Sequence, residues 1–387
     1  MLRILWFELP NMTGKIVAYR FHVAPYGLRC VPSMAGFSMI YTAERNIPNV
    51  SADVALRVLR DMYVDDLITG VNDVVEGHRV VKEISELLKS TGFKLTKWSS
   101  SDKEILAEVA EEDLAPAVRH IQNKEENPEV HYMQHTLGLV WNTNSDCLFI
   151  KKPDFACKKT APLTKRQVAS INHQFFDPLM WWAPLFVQMK LCCSRIMRQV
   201  SDWDGVVPSD LASQWWKSVE KLEEIDQVAV PRRRVPLQAN EESNYELHMF
   251  ADSSKEVAAA VVYLRVCMKS RYEVSLVAAK VSVLSQQVVN RQSMPRKEII
   301  ALDLGARLLR DCLDSTSLPI KNNFLWSDSR TAISWCSNKT LEPCIFERNR
   351  VDSILRNSKG KIPLYISTDT NPADIATRGC RVDQKIK

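Results

Sequence analysis

NYELHMFADSS, residues 244–254, decides the fold of the carboxy-terminal part of the chain. Apolar side chains at the odd-numbered positions from Tyr245 to Met249 alternate with polar or aromatic ones, as in a half-buried β-strand. Residues 256–266 and 273–283 show strand patterns of their own. The sequence therefore predicts three consecutive strands here.

Helical and strand patterns alternate after these three strands. RKEIIALDLGARLLRDCL, residues 296–313, predicts a helix because apolar side chains recur along one face. These side chains are Ile299, Leu302, Ala306, Leu309 and Leu313. The segments that follow are a strand at 322–326, helices at 330–338 and 345–357, and a fifth strand at 361–368. This order predicts a mixed five-stranded sheet with helices packed on it.

Four acids stand at the ends of these predicted elements. Asp252 follows the first strand, Glu298 opens the first helix, and Asp328 and Asp374 follow the fourth and fifth strands. Each acid alone also suits a helix cap or the positive end of a helix dipole. Together, carboxylates that converge on one sheet edge favour hard divalent cations such as Mg²⁺ or Mn²⁺.

The motifs around these acids resemble those of a known family. FADSS, RKEIIAL, WSDSRTAISW and NPADIATRG are similar to the acidic motifs of ribonuclease H domains in BEL/Pao long-terminal-repeat retrotransposon polyproteins. The resemblance implies that Asp252, Glu298, Asp328 and Asp374 are the catalytic and metal-binding positions, with two Mg²⁺ or Mn²⁺ ions per site. It also implies endonucleolytic hydrolysis of RNA in RNA–DNA hybrids, which proteins recognise chiefly by backbone shape and 2′-hydroxyls.

A second acidic motif lies near the amino terminus. Tyr63, Asp65 and Asp66 belong to a YVDD sequence between apolar residues, where paired acids either bind metal or form a solvated turn. With the residues around it, YVDD resembles the palm of a BEL/Pao reverse transcriptase. Polymerase chemistry needs a further carboxylate from an earlier strand. The first Asp of the chain is Asp53, so we expect a polymerase remnant without DNA synthesis.

The middle of the chain is rich in Lys, Trp and Pro and resembles the segment that links polymerase and ribonuclease H in BEL/Pao proteins. Met180 stands where that family usually has glycine. Nine basic residues here are candidates for contacts with nucleic-acid phosphates, and a solvated basic face is the open alternative. They are Lys151, Lys152, Lys158, Lys159, Lys165, Arg166, Arg232, Arg233 and Arg234.

The resemblance predicts a multidomain protein with α/β and α+β parts. Residues 1–147 correspond to a partial reverse transcriptase palm and residues 148–243 to a helical thumb or connection region of Pao type. Residues 244–380 correspond to the ribonuclease H-like mixed sheet with its helices, and residues 381–387 to a tail. Such a chain is a fragment of a retroelement polyprotein whose other parts are possible partners.

The composition of the chain bears on its class of protein, its partners and its cellular compartment. The chain has 387 residues, 45% hydrophobic and 25% charged, which is ordinary for globular domains. Its net charge of +5 neither requires nor excludes a nucleic-acid partner. No apolar run reaches the roughly 18–20 residues of a membrane span. The cysteines are dispersed without a C-x-x-C pair, which favours reduced thiols in an intracellular setting. The resemblance to retrotransposon proteins implies that this setting is the cytoplasm or retroelement particles.

The sequence leaves two functions open. The first is an RNA–DNA hybrid ribonuclease that acts with template-primer or hybrid nucleic acid. The second is a catalytically dead nucleic-acid-binding remnant of a retroelement.

Overall fold

The computed structural model of the protein describes residues 3–9, 11–23, 27–46, 50–116, 118, 133–153, 162–337 and 344–380. The chain divides into two compact units, Met1–Leu137 and Gly138–Lys387. The domain boundaries that the sequence predicts, at residues 147 and 243, are not tested by this division and stay predictions.

The first unit is built from two hairpins and a group of helices. Its buried core joins three helices through Met39, Val58 and Ile84. The elements are β1 (Arg3–Phe7), β2 (Ile16–Arg20), α1 (Val31–Asn46), α2 (Ala52–Asp61), β3 (Met62–Tyr63), β4 (Asp66–Leu67), α3 (Val74–Lys89) and β5 (Met133–Thr136).

Helix α3 lies within the sequence VVEGHRVVKEISELLKSTGF, residues 74–93, in which apolar residues recur at helical spacing. The Asp73 carboxylate caps it by accepting the backbone N–H of Glu76, and Gly92 follows its end with a φ of +89°. Val80, Ile84 and Leu87 face the core. Val75 shares the apolar periodicity but is 80% exposed, because it lies in the first turn of the helix, outside the packed region.

The second unit begins with a helical region that has its own core. Trp182 and Trp215 are fully buried in that core. Met180, at the position where glycine is usual, has a φ of +53°, the left-handed conformation that glycine adopts most readily. The elements are β6 (Leu139–Asn142), β7 (Cys147–Ile150), α4 (Lys165–Gln174), α5 (Ala183–Gln199), α6 (Ser209–Glu220) and β8 (Val230–Pro231).

A mixed five-stranded sheet forms the rest of the second unit, as the sequence predicts. Its strand order is β11-β10-β9-β12-β13, with β9–β11 antiparallel and β12 and β13 parallel to β9. The elements are β9 (Asn244–Ser253), β10 (Val257–Cys267), β11 (Tyr272–Val283), α7 (Gln286–Arg291), α8 (Met294–Ser315), β12 (Ile320–Ser327), α9 (Arg330–Ser337), α10 (Ile345–Asn357), β13 (Leu364–Tyr365) and α11 (Ala373–Arg378).

Helices cover both faces of this sheet. On one face α8 buries Ile299, Leu302 and Leu309 against the strands, which confirms the predicted apolar face of that helix. A Cβ at Gly305 would collide with the sulfur of Met249, so glycine permits the close approach of α8 to β9. On the other face α5 and α11 pack against β10 and β11.

Candidate active site

Three carboxylates from three different elements meet at the end of the sheet. Asp252 is the penultimate residue of β9, Glu298 lies in the second turn of α8, and Asp328 directly follows β12. Each offers an oxygen atom, and these atoms lie within 4.8 Å of one another. The parallel pairing of β9 with β12 brings the two Asp residues to the same edge.

Two of the three groups, Asp252 and Glu298, are buried, and the charges of the three repel one another. Glu298 is 9% exposed, and burial, reinforced by the charges of Asp252 and Asp328, raises its pKa to about 9. Burial also raises the pKa of Asp252, against a hydrogen bond from Thr377 that lowers it. The Oε2 atom of Glu298 is buried and accepts no hydrogen bond from any described residue.

This arrangement fits a divalent cation. All three side chains offer oxygen, the ligand atom of Mg²⁺ and Mn²⁺. A cation would offset the repulsion between the carboxylates and would give the Oε2 atom of Glu298 a partner. A buried carboxylate without such a partner is costly.

Asp374 lies outside the three-residue cluster. It occupies the first turn of α11, and its Oδ1 atom is 2.8 Å from Nε of Arg378. Burial raises its pKa, Arg378 lowers it, and the charge of Asp328 raises it, so Asp374 is within electrostatic reach of the cluster. Its part as a fourth ligand stays a prediction.

Polar side chains that the sequence analysis did not single out hold the acids in place. The Thr377 hydroxyl donates to Oδ2 of Asp252, and the Thr368 hydroxyl donates to Oδ2 of Asp328 at 2.7 Å. Nδ2 of Asn371 donates to the carbonyl oxygen of Ala251 at 3.0 Å. All three donors lie in or just before the NPADIATRG motif, which was the available signal.

The YVDD motif has a different environment. Tyr63 pairs with Asp66 across the short hairpin of β3 and β4, and Val64 in the turn has a φ of +57°. Asp65 and Asp66 are both exposed. Within the described residues, no third acid joins them in a cluster of potential metal ligands.

The predicted phosphate-contacting residues fall into several groups. Lys158 and Lys159 lie outside the described residues, whereas Lys151, Lys152 and Arg233 are exposed. The other four make contacts within the protein. Nζ of Lys165 donates to the carbonyl oxygen of Val200 at 2.7 Å, and Arg166 pairs with Asp204 at 2.8 Å. Arg232 pairs with Asp146 at 2.6 Å, and the Arg234 guanidinium lies 3.9 Å from the ring centroid of Trp181.

These contacts help to decide which of the basic residues could bind nucleic-acid phosphates and which could not do so freely. A phosphate would have to compete with a carboxylate for Arg166 or Arg232, and with a helix-ending carbonyl for Lys165. Burial, together with the nearby charge of Arg232, lowers the pKa of Arg234 to about 10. Lys151, Lys152 and Arg233 are the more accessible candidates.

A family comparison matches part of the chain. Residues 164–329 match the family described as the Pao retrotransposon-like RNaseH-like domain. The match covers a little under half of the chain and includes Asp252, Glu298 and Asp328, while Asp374 lies beyond it. It confirms the resemblance to Pao-type retrotransposon proteins over these residues.

The chain is also similar to several solved structures. The foamy viral protease-reverse transcriptase dRH in complex with double-stranded DNA is 14% identical over 88% of this chain and 49% of that chain, with a TM-score of 0.47. The chain thus spans about half the length of that protein. RNase H1 from the halophilic archaeon Halobacterium salinarum is 13% identical over 34% of this chain and 90% of that chain, with a TM-score of 0.24.

A third similar structure is the amino-terminal RNase H domain of a Mycobacterium tuberculosis protein, fused to maltose-binding protein. It is 13% identical over 35% of this chain and 94% of that chain, with a TM-score of 0.25. No curated protein matches the chain.

Two further findings concern the helices and the cysteines of the described residues. Among the described helices, none has the length and apolar character needed to cross a membrane. The nine cysteines in the described part of the chain are free thiols.

Proposed function

We propose that this chain, whose residues 164–329 match the Pao retrotransposon-like RNaseH-like family, hydrolyses the RNA strand of RNA–DNA hybrids in a metal-dependent reaction. The observation that carries the proposal is the convergence of Asp252, Glu298 and Asp328, with ligand oxygens within 4.8 Å of one another. An orphaned, buried oxygen on Glu298 supports a cation at this place.

The chain's own residues prepare the site. Asp252, Glu298 and Asp328 would hold Mg²⁺ or Mn²⁺, and Asp374 would complete a second ion site. When bound, such ions activate water and stabilise the negative charge that develops on phosphate oxygens. Thr377 and Thr368 orient two of the carboxylates, and the sheet and α8 exclude water from the Glu298 side.

A hybrid duplex is the proposed substrate because the acidic motifs resemble those of retrotransposon ribonuclease H domains, which act on RNA–DNA hybrids. Recognition would rest on backbone shape and 2′-hydroxyls, with little sequence preference. Lys151, Lys152 and Arg233 are exposed and would contact phosphates of a hybrid or template-primer. Other parts of a retroelement polyprotein are further proposed partners.

We assign the remaining parts of the chain by the same reasoning. The first 147 residues would derive from a reverse transcriptase palm, residues 148–243 from a connection region, and residues 244–380 from the ribonuclease H domain. DNA synthesis is not expected, since Asp65 and Asp66 have no third acid among the described residues. Free, dispersed cysteines suit an intracellular location, in the cytoplasm or in retroelement particles.

A substrate panel tests the proposal. The full chain is incubated with labelled RNA–DNA hybrid, single-stranded RNA, double-stranded RNA and double-stranded DNA, each with Mg²⁺ or Mn²⁺. Asp328→Asn removes a proposed ligand, and Asp352→Asn, on the exposed side of α10, is the matched control. We expect cleavage of the RNA strand of the hybrid by the parent and by Asp352→Asn, and none by Asp328→Asn.

Two results would count against the enzyme. If the folded chain binds the hybrid but cuts nothing with either ion, the nucleic-acid-binding remnant replaces the ribonuclease. If Asp328→Asn cleaves as the parent does, the nuclease is a contaminant or lies elsewhere on the chain.

A further inference from the structure

The carboxylate of Asp252 accepts a hydrogen bond from a buried hydroxyl group. Asp252 is 5% exposed and faces two other acids, yet its Oδ2 atom accepts a hydrogen bond from Thr377, which is itself 3% exposed. Oγ1 of Thr377 also lies 3.0 Å from the carbonyl oxygen of Asp374. A hydroxyl has one hydrogen to donate, and a charged acceptor binds it more strongly than a neutral carbonyl. Asp252 is therefore the preferred acceptor.

The helix that carries Thr377 is fixed from its other side by α5. Ala373 and Ala376 of α11 share an apolar cluster with Ala183 and Val187 of α5. Polar contacts join the same two elements. Nε2 of Gln188 donates to the carbonyl oxygen of Arg378 at 3.2 Å. The backbone N–H of Cys380 donates to the carbonyl oxygen of Pro184, also at 3.2 Å.

The turn after α11 leaves little freedom at this junction. Gly379 has a φ of +84°, and a Cβ there would lie 3.2 Å from the carbonyl oxygen of Pro184. The backbone of the turn thus rests directly on the first turn of α5. Thr377, two residues earlier, is held at a fixed distance from the sheet.

We infer that Thr377 is a positioning residue for the Asp252 carboxylate and that α5 acts through it on the metal site. This inference rests on the proposed function. Without the hydroxyl, repulsion from Glu298 and Asp328 would turn the Asp252 carboxylate away from the cluster. With it, one oxygen is tied to α11 and the other is left to a cation. Groups that orient metal ligands in this way commonly change metal affinity by about 10–100-fold.

Metal affinity and cleavage in the full chain test the inference. Mn²⁺ binding is measured from the electron paramagnetic resonance signal of the free ion, and hybrid cleavage is measured in parallel. Thr377→Val keeps the shape and removes the hydroxyl, whereas Thr377→Ser keeps the donor. Ser358→Ala is the control, since its buried hydroxyl donates to the carbonyl oxygen of Lys361 at 2.9 Å, in another part of the fold.

We expect Thr377→Val to weaken Mn²⁺ binding by about tenfold or more and to lower the cleavage rate with it. Thr377→Ser should restore both, because a serine hydroxyl can donate to the same oxygen. Ser358→Ala should match the parent. An unchanged Mn²⁺ affinity in Thr377→Val overturns the inference. Equal losses in Thr377→Val and Thr377→Ser also overturn it, because they would show that the methyl group and packing matter rather than the donor.

If Thr377→Val does not fold, a second variant tests whether α5 influences the metal site through α11. Gln188 is exposed on α5, and Gln188→Ala removes its bond to Arg378 without touching the core. We expect weaker Mn²⁺ binding than in the parent; unchanged binding contradicts the relay from α5.

The two readouts separate this inference from the proposed function. If the parent binds Mn²⁺ but cuts no hybrid, the ribonuclease proposal fails while the Mn²⁺ affinities still decide the role of Thr377. A parent that binds no Mn²⁺ overturns both.

Discussion

Asp252 at the end of β9 and Asp66 at the start of β4 belong to two acidic motifs, and both motifs resemble metal sites. Their surroundings differ. Asp252 is 5% exposed, lies near Glu298 and Asp328, and accepts a hydrogen bond from Thr377. Asp66 is exposed on a two-residue strand and is not part of a cluster of acids in the described chain.

The difference shows what a metal site requires beyond its acids. A divalent cation binds most strongly where several oxygens are already held together and water is partly excluded. Folding has then already supplied the free energy that is needed to bring the charges together. The β9 site meets this condition through the sheet, α8 and α11, whereas the YVDD hairpin alone does not. The following predictions test that contrast, in order of expected effect.

The largest effect should come from shortening the chain. Residues 138–387 contain the carboxylates and the three buried apolar clusters described in this unit, so this fragment should fold and cut hybrid as the full chain does, without the YVDD motif. Residues 244–387 lack α5, which uncovers Val257, Ala259 and Val261 on the sheet. We expect this fragment to aggregate or to lose cooperative unfolding, measured by size-exclusion chromatography and thermal denaturation.

The shorter fragment, residues 244–387, also tests whether the sheet needs α5 in order to fold. A stable, monomeric and active 244–387 would show that α5 is dispensable. Failure of 138–387 would show instead that the carboxylate site depends on the first unit.

A smaller effect is expected from the metal itself. At a Mg²⁺ concentration about 100-fold above its dissociation constant, binding stabilises the folded state by about 2.7 kcal/mol, which corresponds to a rise of about 5–10 °C in Tm. Asp252→Asn should abolish this rise. The double variant Asp65→Asn/Asp66→Asn should keep it, and an equal loss in both would remove the contrast between the motifs.

The smallest effect concerns a buried carboxylate with no acid close by. Asp177 accepts the backbone N–H groups of Trp181 and Trp182, both at 3.0 Å, and burial raises its pKa to about 6. Since this folded-state pKa lies above the ordinary value of 3.8, Asp177 stabilises the fold fully below that value. This contribution is lost as the pH rises through about 6.

Chemical denaturation between pH 4 and pH 7 measures this effect. Asp177→Asn should flatten the part of the pH dependence that is due to Asp177, whereas Asp352→Asn, which changes an exposed acid, should not. An unchanged slope in Asp177→Asn would show that the carboxylate is better solvated than its position indicates.

The sequence predicts the parts of this structure that depend on local pattern. Alternation in 244–254 marks β9, and the spacing of Ile299, Leu302 and Leu309 marks the buried face of α8. The acids are recognisable because Asp252 and Asp328 stand at strand ends and Glu298 lies within the first two turns of a helix. Such signals are local, and local signals survive folding when burial follows the same period.

The parts that the sequence does not predict come from distant packing. Thr377 reaches Asp252 across 125 positions of the chain, and the NPADIATRG motif marks its segment without indicating which carboxylate its hydroxyl contacts. The packing of α5 on the sheet was likewise not foreseen, since an apolar helix face does not indicate its partner. Lys165 and Arg232 counted as phosphate contacts because charge is visible in sequence, whereas their partners Val200 and Asp146 are not.

Hybrid cleavage by three forms of the full chain tests the central claim most directly. The parent, Asp328→Asn and Asp65→Asn/Asp66→Asn are compared on one labelled RNA–DNA hybrid with Mg²⁺ or Mn²⁺ at equal protein concentration. We expect the parent and the double variant to cut the RNA strand at the same rate and Asp328→Asn not to cut it. Cleavage that survives in Asp328→Asn, or that disappears in the double variant, would contradict the central claim.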